Sequence, residues 1–150
     1  MALRLSTGLV NAVMASSSLK AAIEGANGFV IDIYSGTQPT SPDAAATGTL
    51  LVTVSNNGAG TGMHMGATAT AGVISKAGAE TWSGTAVAAG TAGWFRCRQV
   101  GDTGAAASNS AIRFDGAIAT SGAEMTLGSL TISASAPFVL STANFTLPMA

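Results

Sequence analysis

Residues 80–100 decide the predicted fold class and read E-T-W-S-G-T-A-V-A-A-G-T-A-G-W-F-R-C-R-Q-V. Two apolar runs flank the small residues 88–93, and this pattern predicts a β-hairpin with a longer loop. Side chains on a strand alternate between its two faces. One face of the second strand should therefore carry an aromatic and two arginines, namely Trp94, Arg96 and Arg98. The other face should carry Phe95 and Cys97, which we assign to the core.

We call Trp94, Arg96 and Arg98 the arginine face. A charged strand face is most often simply solvated. Arginine, however, offers paired donors to carboxylates, and tryptophan is a frequent anchor of protein interfaces. We therefore expect the arginine face to be exposed and to contact a partner protein.

The composition of the chain narrows the classes of function. The chain has 150 residues, the length of one domain, and a net charge of -1, so it offers no basic field for nucleic acid. Charged residues make up 9% of it, against about 25% in ordinary soluble domains. Such a surface is either covered by partners or simply neutral and polar. The sequence contains no apolar run long enough for a transmembrane helix, and its N-terminus lacks the clean apolar core of a signal peptide.

The pattern of apolar and capping residues in the N-terminal segment 1–28 predicts a helical arm. Leu5, Leu9 and Val13 recur at helical spacing, and Ser6 can cap the start of the helix. A second short turn spans 18–24, with Ser18 as its cap and Gly25 as its end. Helices this short are marginal alone. The segment 2–14 should therefore dock on its own sheet or, as we expect, on a neighbouring subunit.

Residues 29–150 predict an all-β domain, a sandwich or a barrel, because short strands alternate with Gly-, Ser- and Asn-rich loops. The expected strands lie at 29–34, 49–55, 73–75, 111–119, 124–127, 130–133 and 137–147. The expected core consists of apolar side chains on one strand face, namely Phe29, Ile31, Ile33, Leu51, Trp82, Phe95, Phe114, Phe138 and Phe145, with Leu140 and Leu147 also facing inward. Their charged neighbours Asp32, Arg96 and Asp115 should be exposed.

The chain offers no recognisable catalytic or metal-binding motif. His64 is the single histidine and lies in a Gly- and Met-rich loop, without a nucleophile elbow anywhere in the chain. His64 and Cys97 are isolated from other ligand types, and one cysteine forms no internal disulfide. Asp32 and Asp115 could be imagined as a glycosidase pair, but nothing in the sequence supports their geometry. We expect no enzyme, no cofactor and no metal.

Five stretches together resemble a family of small virion structural proteins of tailed bacteriophages and prophages. They are A-L-R-L-S-T-G-L at 2–9, I-D-I-Y-S-G-T-Q-P at 31–39, A-A-A-T-G-T-L-L at 44–51, G-V-I-S-K-A-G-A-E-T-W-S-G-T-A at 72–86 and A-G-T-A-G-W-F-R at 89–96. The resemblance implies a capsid cement, or decoration, protein. Such proteins are β-sandwich, jelly-roll-like subunits that bind as dimers or trimers to an HK97-type shell.

Under this reading the partner is the major capsid protein, and the location is the capsid surface of a virion made in the bacterial cytoplasm. The contact residues would be Leu5, Leu9, Val13, Trp94, Arg96 and Arg98. The alternative is a receptor- or glycan-binding module of a tail fibre or baseplate. In that case Trp82 and Trp94 would be exposed ligand platforms.

Overall fold

A computed structural model describes residues 3–146 and shows an all-β chain with two short helices, as predicted. The elements are, in chain order, β1 (Arg4–Leu5), α1 (Thr7–Ala15), α2 (Leu19–Glu24), β2 (Phe29–Ser35), β3 (Leu50–Asn56), β4 (Val73–Ser75), β5 (Trp82–Thr85), β6 (Gly90–Gln99), β7 (Arg113–Ala119), β8 (Met125–Thr126), β9 (Thr131–Ile132), β10 (Pro137–Leu140) and β11 (Asn144–Thr146). Each strand expected before residue 134 is present within a few residues of its predicted bounds. The segment 137–147, expected as one strand, instead forms two strands, β10 and β11, which pair in different sheets. The two-residue strand β1 was not expected.

Nine strands form one sheet in the order β1-β7-β6-β2-β3-β5-β10, with β8 beside β7 and β9 beside β6. The remaining strands, β4 and β11, form a separate pair. All pairs are antiparallel except β7 with β8. The longest strands, β2, β3, β6 and β7, lie side by side and make up the centre of the sheet.

The predicted hairpin of residues 80–100 is wrong. Its two strands, β5 and β6, do not pair with each other, because β2 and β3 lie between them. β5 pairs with β3 and β10, whereas β6 pairs with β2, β7 and β9. The alternation within each strand was visible in the sequence, but the pairing partners come from distant parts of the chain.

Both helices begin directly after their predicted capping serines, and α2 ends at Gly25 as predicted. The Ser6 hydroxyl accepts a hydrogen bond from Leu9 N at 3.1 Å, and the Ser18 hydroxyl accepts one from Ala21 N at 3.1 Å. Gly25 ends α2 with a positive φ of 52°, a conformation that glycine adopts without strain. The helices dock on their own sheet, since Leu9 is fully buried in the core.

The core matches the sequence prediction at most positions. Seven of the nine expected side chains are buried, namely Phe29, Ile31, Ile33, Leu51, Trp82, Phe95 and Phe114. Leu140 is also buried in this core, and Phe138 and Phe145 are half-buried and pack against it. Leu147 lies outside the described residues. The aromatic rings meet edge to face, with centroids 5.4 Å apart for Phe29 and Trp82 and 6.1 Å apart for Phe95 and Phe114. This geometry stabilises aromatic pairs beyond their burial alone.

Replacement of Phe114 by alanine tests this core. The Phe114 ring contacts the rings of both Phe95 and Phe145, so its loss leaves a cavity that its neighbours cannot fill. We expect Phe114→Ala to lower the free energy of unfolding by about 3–5 kcal/mol in denaturant titrations. The control Val139→Ala, at a side chain 56% exposed, should change it by less than about 0.5 kcal/mol. A loss below about 1 kcal/mol at Phe114 would show that the strand register is wrong.

Candidate functional site

Two loops of the same chain, 36–49 and 100–112, cover the arginine face. Trp94 and Arg96 are fully buried, and the Arg98 side chain is only 15% exposed. The two faces of β6 alternate as predicted, since Phe95 and Cys97 point into the core. The expectation that the arginine face is exposed is wrong, however. The two loops of the same chain cover this face, where we expected a partner protein to bind.

Arg96 and Asp115 form the most deeply buried ion pair of the described chain, with both side chains fully covered. Arg96 Nε donates to Asp115 Oδ1 at 2.8 Å and Nη2 donates to Oδ2 at 2.7 Å, a bidentate arrangement. The remaining nitrogen, Nη1, donates to the carbonyl oxygens of Gly104 at 2.6 Å and Ala44 at 3.1 Å. One guanidinium therefore holds both covering loops and a neighbouring strand.

A second pair, Arg98 with Asp32, lies beside the first. Arg98 Nε donates to Asp32 Oδ2 at 2.6 Å, and Thr53 donates its hydroxyl proton to Asp32 Oδ1 at 2.7 Å. The pair thus links β6, β2 and β3. The prediction that Asp32, Arg96 and Asp115 would be exposed is wrong for all three, because each faces a loop rather than solvent.

A third pair, Arg113 with Asp102, fastens the 100–112 loop to β7. Arg113 Nε and Nη2 donate to the two Asp102 oxygens at 2.5 and 2.6 Å, and Nη1 donates to Ala106 O at 2.8 Å. The Arg113 amide donates to the Ser6 hydroxyl at 3.0 Å. The same serine caps α1, so the loop, β7 and the helix share one network.

The pKa values of two of the carboxyl groups in these pairs shift in opposite directions. Burial raises the pKa of Asp115, an effect that the hydrogen bonds from Arg96 oppose. Burial also acts to raise the pKa of Asp102, but hydrogen bonds from Arg113 and the Gly104 amide outweigh it and bring the pKa below its ordinary value. Burial raises the pKa of the Cys97 thiol well above its usual range, as expected of an inert core cysteine.

Gly104 brings its loop close to the second ion pair. Its φ is +70°, and a Cβ atom built there would lie 2.7 Å from Arg98 Cδ and 3.1 Å from Asp32 Oδ2. A side chain at this position would push the loop away from Arg98. The loop therefore needs glycine both for its backbone conformation and for its close approach.

A separate polar cluster surrounds Glu80 near the start of β5. Its carboxylate accepts hydrogen bonds at 2.8 Å from the His64 amide and from Trp82 Nε1, and it lies 2.8 Å from His64 Nδ1. Lys76 donates to the Glu80 carbonyl oxygen, and its Nζ lies 5.8 Å from the centroid of the Trp82 ring. The cluster ties the 56–65 loop to the buried tryptophan and has no nucleophile in it.

Most charged side chains are buried or half-buried, so the exterior carries few charges. All six basic and seven acidic side chains fall within the described part of the chain, and each hydrogen-bonds to another group of the protein. Among them only Glu124 is largely exposed, and its carboxylate accepts a hydrogen bond from the Ala117 amide at 2.9 Å. The side chains of His64 and Lys20, 47% and 31% exposed, also reach the surface.

The three helix-arm residues proposed as contacts differ in their exposure. Leu9 is fully buried, whereas Leu5 is 44% and Val13 is 38% exposed. The prediction that all three lie on one helix is wrong for Leu5, which belongs to β1. Of the two residues on α1, Leu9 faces the protein's own core and Val13 faces the surface. Leu5 and Val13 remain available to a partner, while Leu9 does not.

Leu5 lines an apolar groove of about 740 Å³ between β1, α2 and the β4–β11 pair. Its floor consists of core side chains from the central strands, among them Ile31, Phe95 and Phe114. This groove was not anticipated from the sequence. The sequence shows leucines at the alternate positions 3 and 5, but this short alternation was not interpreted as a strand.

Two further properties concern residues 3–146 alone. In this part of the chain, no three histidine, cysteine or acidic side chains lie close enough together to hold a metal ion. None of its helices is long and apolar enough to cross a membrane. Comparisons of the chain with protein-family models, curated proteins and solved structures find no match.

The Glu80 cluster makes stability depend on pH. Burial acts to raise the Glu80 pKa, but the hydrogen bonds from His64 and Trp82 outweigh it, so the pKa lies below its ordinary value of 4.5. A lowered pKa in the folded state stabilises the fold above the ordinary pKa, and this stabilisation is lost as pH falls through the folded-state value.

We therefore expect the melting temperature of the wild-type protein to fall as the pH is lowered below about 4.5. Glu80→Gln should make this dependence shallower, because glutamine does not titrate, while lowering the melting temperature at pH 7. Melting curves by circular dichroism at several pH values measure both effects. Identical pH dependence in the two proteins would show that Glu80 does not contribute to it.

Proposed function

We propose that the protein is a capsid cement protein that binds the outside of an HK97-type shell, with the major capsid protein as its partner. It would act as a jelly-roll-like β-sandwich subunit, in dimers or trimers, on the virion surface. The five family-like stretches and the all-β fold support this proposal. The observation that carries it is the low charge of the exterior, which follows from the burial of most charged side chains.

An exterior with few charges suits permanent attachment to another protein. Burying a charge in an interface carries a large desolvation cost unless the charge is well paired, whereas small apolar and hydroxyl side chains lose little on burial. Stable interfaces are accordingly depleted of charged residues at their centre. A cement protein that bridges capsid subunits against internal pressure needs contacts of this kind.

The clamped loops support the same function. Loops that are already ordered lose little conformational entropy on binding, so more of the contact energy appears as affinity. Here Arg96, Arg98 and Arg113 each donate to main-chain carbonyls of the covering loops. The arginine face would therefore act indirectly, by fixing the shape of the outer surface.

No observation favours the receptor- or glycan-binding alternative. That function required Trp82 and Trp94 as exposed platforms, and both side chains are fully buried. Trp94 instead stacks on Tyr34, with ring centroids 4.5 Å apart, beneath the covering loops.

Localisation on the virion tests the proposed function. Purified protein would be added to capsids that lack it, and bound particles would be imaged by cryo-electron microscopy. We expect many ordered copies on the head surface, each in contact with more than one capsid subunit. Density confined to the tail, or no binding to capsids, would contradict the proposal.

A further inference from the structure

The dipeptide Asn-Gly occurs twice in the chain, at Asn27-Gly28 and at Asn57-Gly58. Asparagine is chemically labile before glycine, because glycine has no side chain to shield its amide nitrogen from the asparagine carboxamide. The nitrogen reaches the carboxamide only if the peptide between the two residues rotates. The local structure therefore decides which of the two asparagines reacts.

Asn57 and Gly58 form the tip of an exposed turn. Their φ angles are 54° and 66°, and the Ala59 amide donates to the Asn56 carbonyl at 3.1 Å, which defines a type I′ turn. The Gly58 amide donates to the Ser55 carbonyl at 3.4 Å, a long hydrogen bond. Rotation of the central peptide thus breaks two hydrogen bonds at the surface and leaves the core in place.

The same dipeptide at Asn27-Gly28 is clamped. Gly28 is buried, and its carbonyl accepts a hydrogen bond from the Val100 amide at 3.0 Å. A Cβ atom built at Gly28 would lie 2.8 Å from Gly62 Cα, and one built at Gly62 would overlap the Asn27 carbonyl oxygen. Rotation of this peptide would drive that oxygen into the neighbouring segment, so it requires the start of β2 to separate from its neighbours.

We propose that Asn57 is a site of spontaneous deamidation and isomerisation, and that Asn27 is not. The Gly58 nitrogen attacks Asn57 Cγ, the bond from Cγ to Nδ2 breaks, and the amide proton leaves with ammonia. One water molecule then opens the resulting succinimide at either of its carbonyl groups. Both routes replace a neutral carboxamide by a carboxylate, which adds one negative charge to a chain whose net charge is -1.

The two products differ in their effect on the fold. Opening at one carbonyl gives aspartate, which keeps the main chain unchanged. Opening at the other gives isoaspartate, which inserts a methylene group into the main chain of the turn. The Asn56 amide donates to the Thr61 carbonyl at 3.0 Å and the Asn57 amide to the Thr81 carbonyl at 2.7 Å. Isoaspartate displaces these bonds and loosens the end of β3.

Ageing of the purified protein tests the site. The protein would be held in mildly alkaline buffer, because base removes the amide proton that the reaction must lose. Anion-exchange chromatography separates the more acidic form, peptide mass spectrometry locates it, and methylation by an isoaspartyl methyltransferase measures the isoaspartate. We expect Asn57 to be converted at least about tenfold faster than Asn27, because a surface turn opens more readily than a buried segment.

Two matched variants assign the acidic form. Asn57→Gly removes the carboxamide and keeps the turn, since glycine adopts a positive φ without strain, and Asn27→Gly makes the same change at the clamped dipeptide. We expect the acidic form to appear in the wild type and in Asn27→Gly and to be lost in Asn57→Gly. The isoaspartate fraction of the aged wild type should melt at a lower temperature than the fresh protein.

Ageing of the wild type in denaturant needs no variant and keeps the test decisive. Without the fold, the two dipeptides should react at similar rates. If Asn27 reacts as fast as Asn57 in the folded protein, or if Asn57 reacts only in denaturant, the proposal is overturned. Selective conversion of Asn57 in the folded protein, with equal conversion of both residues in denaturant, supports it.

Discussion

The buried pair of Arg96 and Asp115 is the interaction on which the rest of the structure depends. Two opposite charges without solvent are tolerated only when their geometry is good and their remaining hydrogen-bonding groups are satisfied. The bidentate contact meets the first condition, and the carbonyl oxygens of Ala44 and Gly104 meet the second. The folding of both loops is thereby coupled to the register of the central strands.

That register places three charged residues in one row across β2, β6 and β7. Asp32 lies opposite Arg96, which lies opposite Asp115. A shift of one residue in either strand pair would turn a charge into the apolar core, so the row specifies the pairing as strongly as the hydrophobic pattern does. The same row concentrates charge inside the molecule and leaves the outside to Ala, Ser, Thr and Gly.

Local signals in the sequence predicted the parts of the fold that local physics determines. The caps at Ser6 and Ser18 and the apolar runs of β2 and β3 identified helices and strands near their true bounds. The hairpin and the exposure of the arginine face were wrong because both depend on distant pairing. Asp32 and Arg98 are 66 residues apart, and no pattern within β6 shows that a loop will cover it.

The candidate site was predicted only in part for the same reason. Leu5 was identified from helical spacing, although it belongs to an edge strand that pairs with β7 more than 100 residues later. The groove is made by elements from both ends of the described chain, so it exists only after the sheet has formed. The sequence did contain one signal for the internal ion pairs: aspartates and arginines lie within strongly apolar strands, as Asp32 does in β2 and Arg96 does in β6.

The central claim is that the buried pair of Arg96 and Asp115 holds the fold together. The most direct test measures the free energy of unfolding of Arg96→Met, Asp115→Leu and the double variant. Removing one partner leaves the other as an uncompensated buried charge, so the account predicts that each single variant loses about 3–5 kcal/mol. The double variant should regain a large part of this loss, because it buries no unpaired charge. A loss below about 1 kcal/mol for Arg96→Met would contradict the account, because it would show that Arg96 is solvated and the arginine face is open.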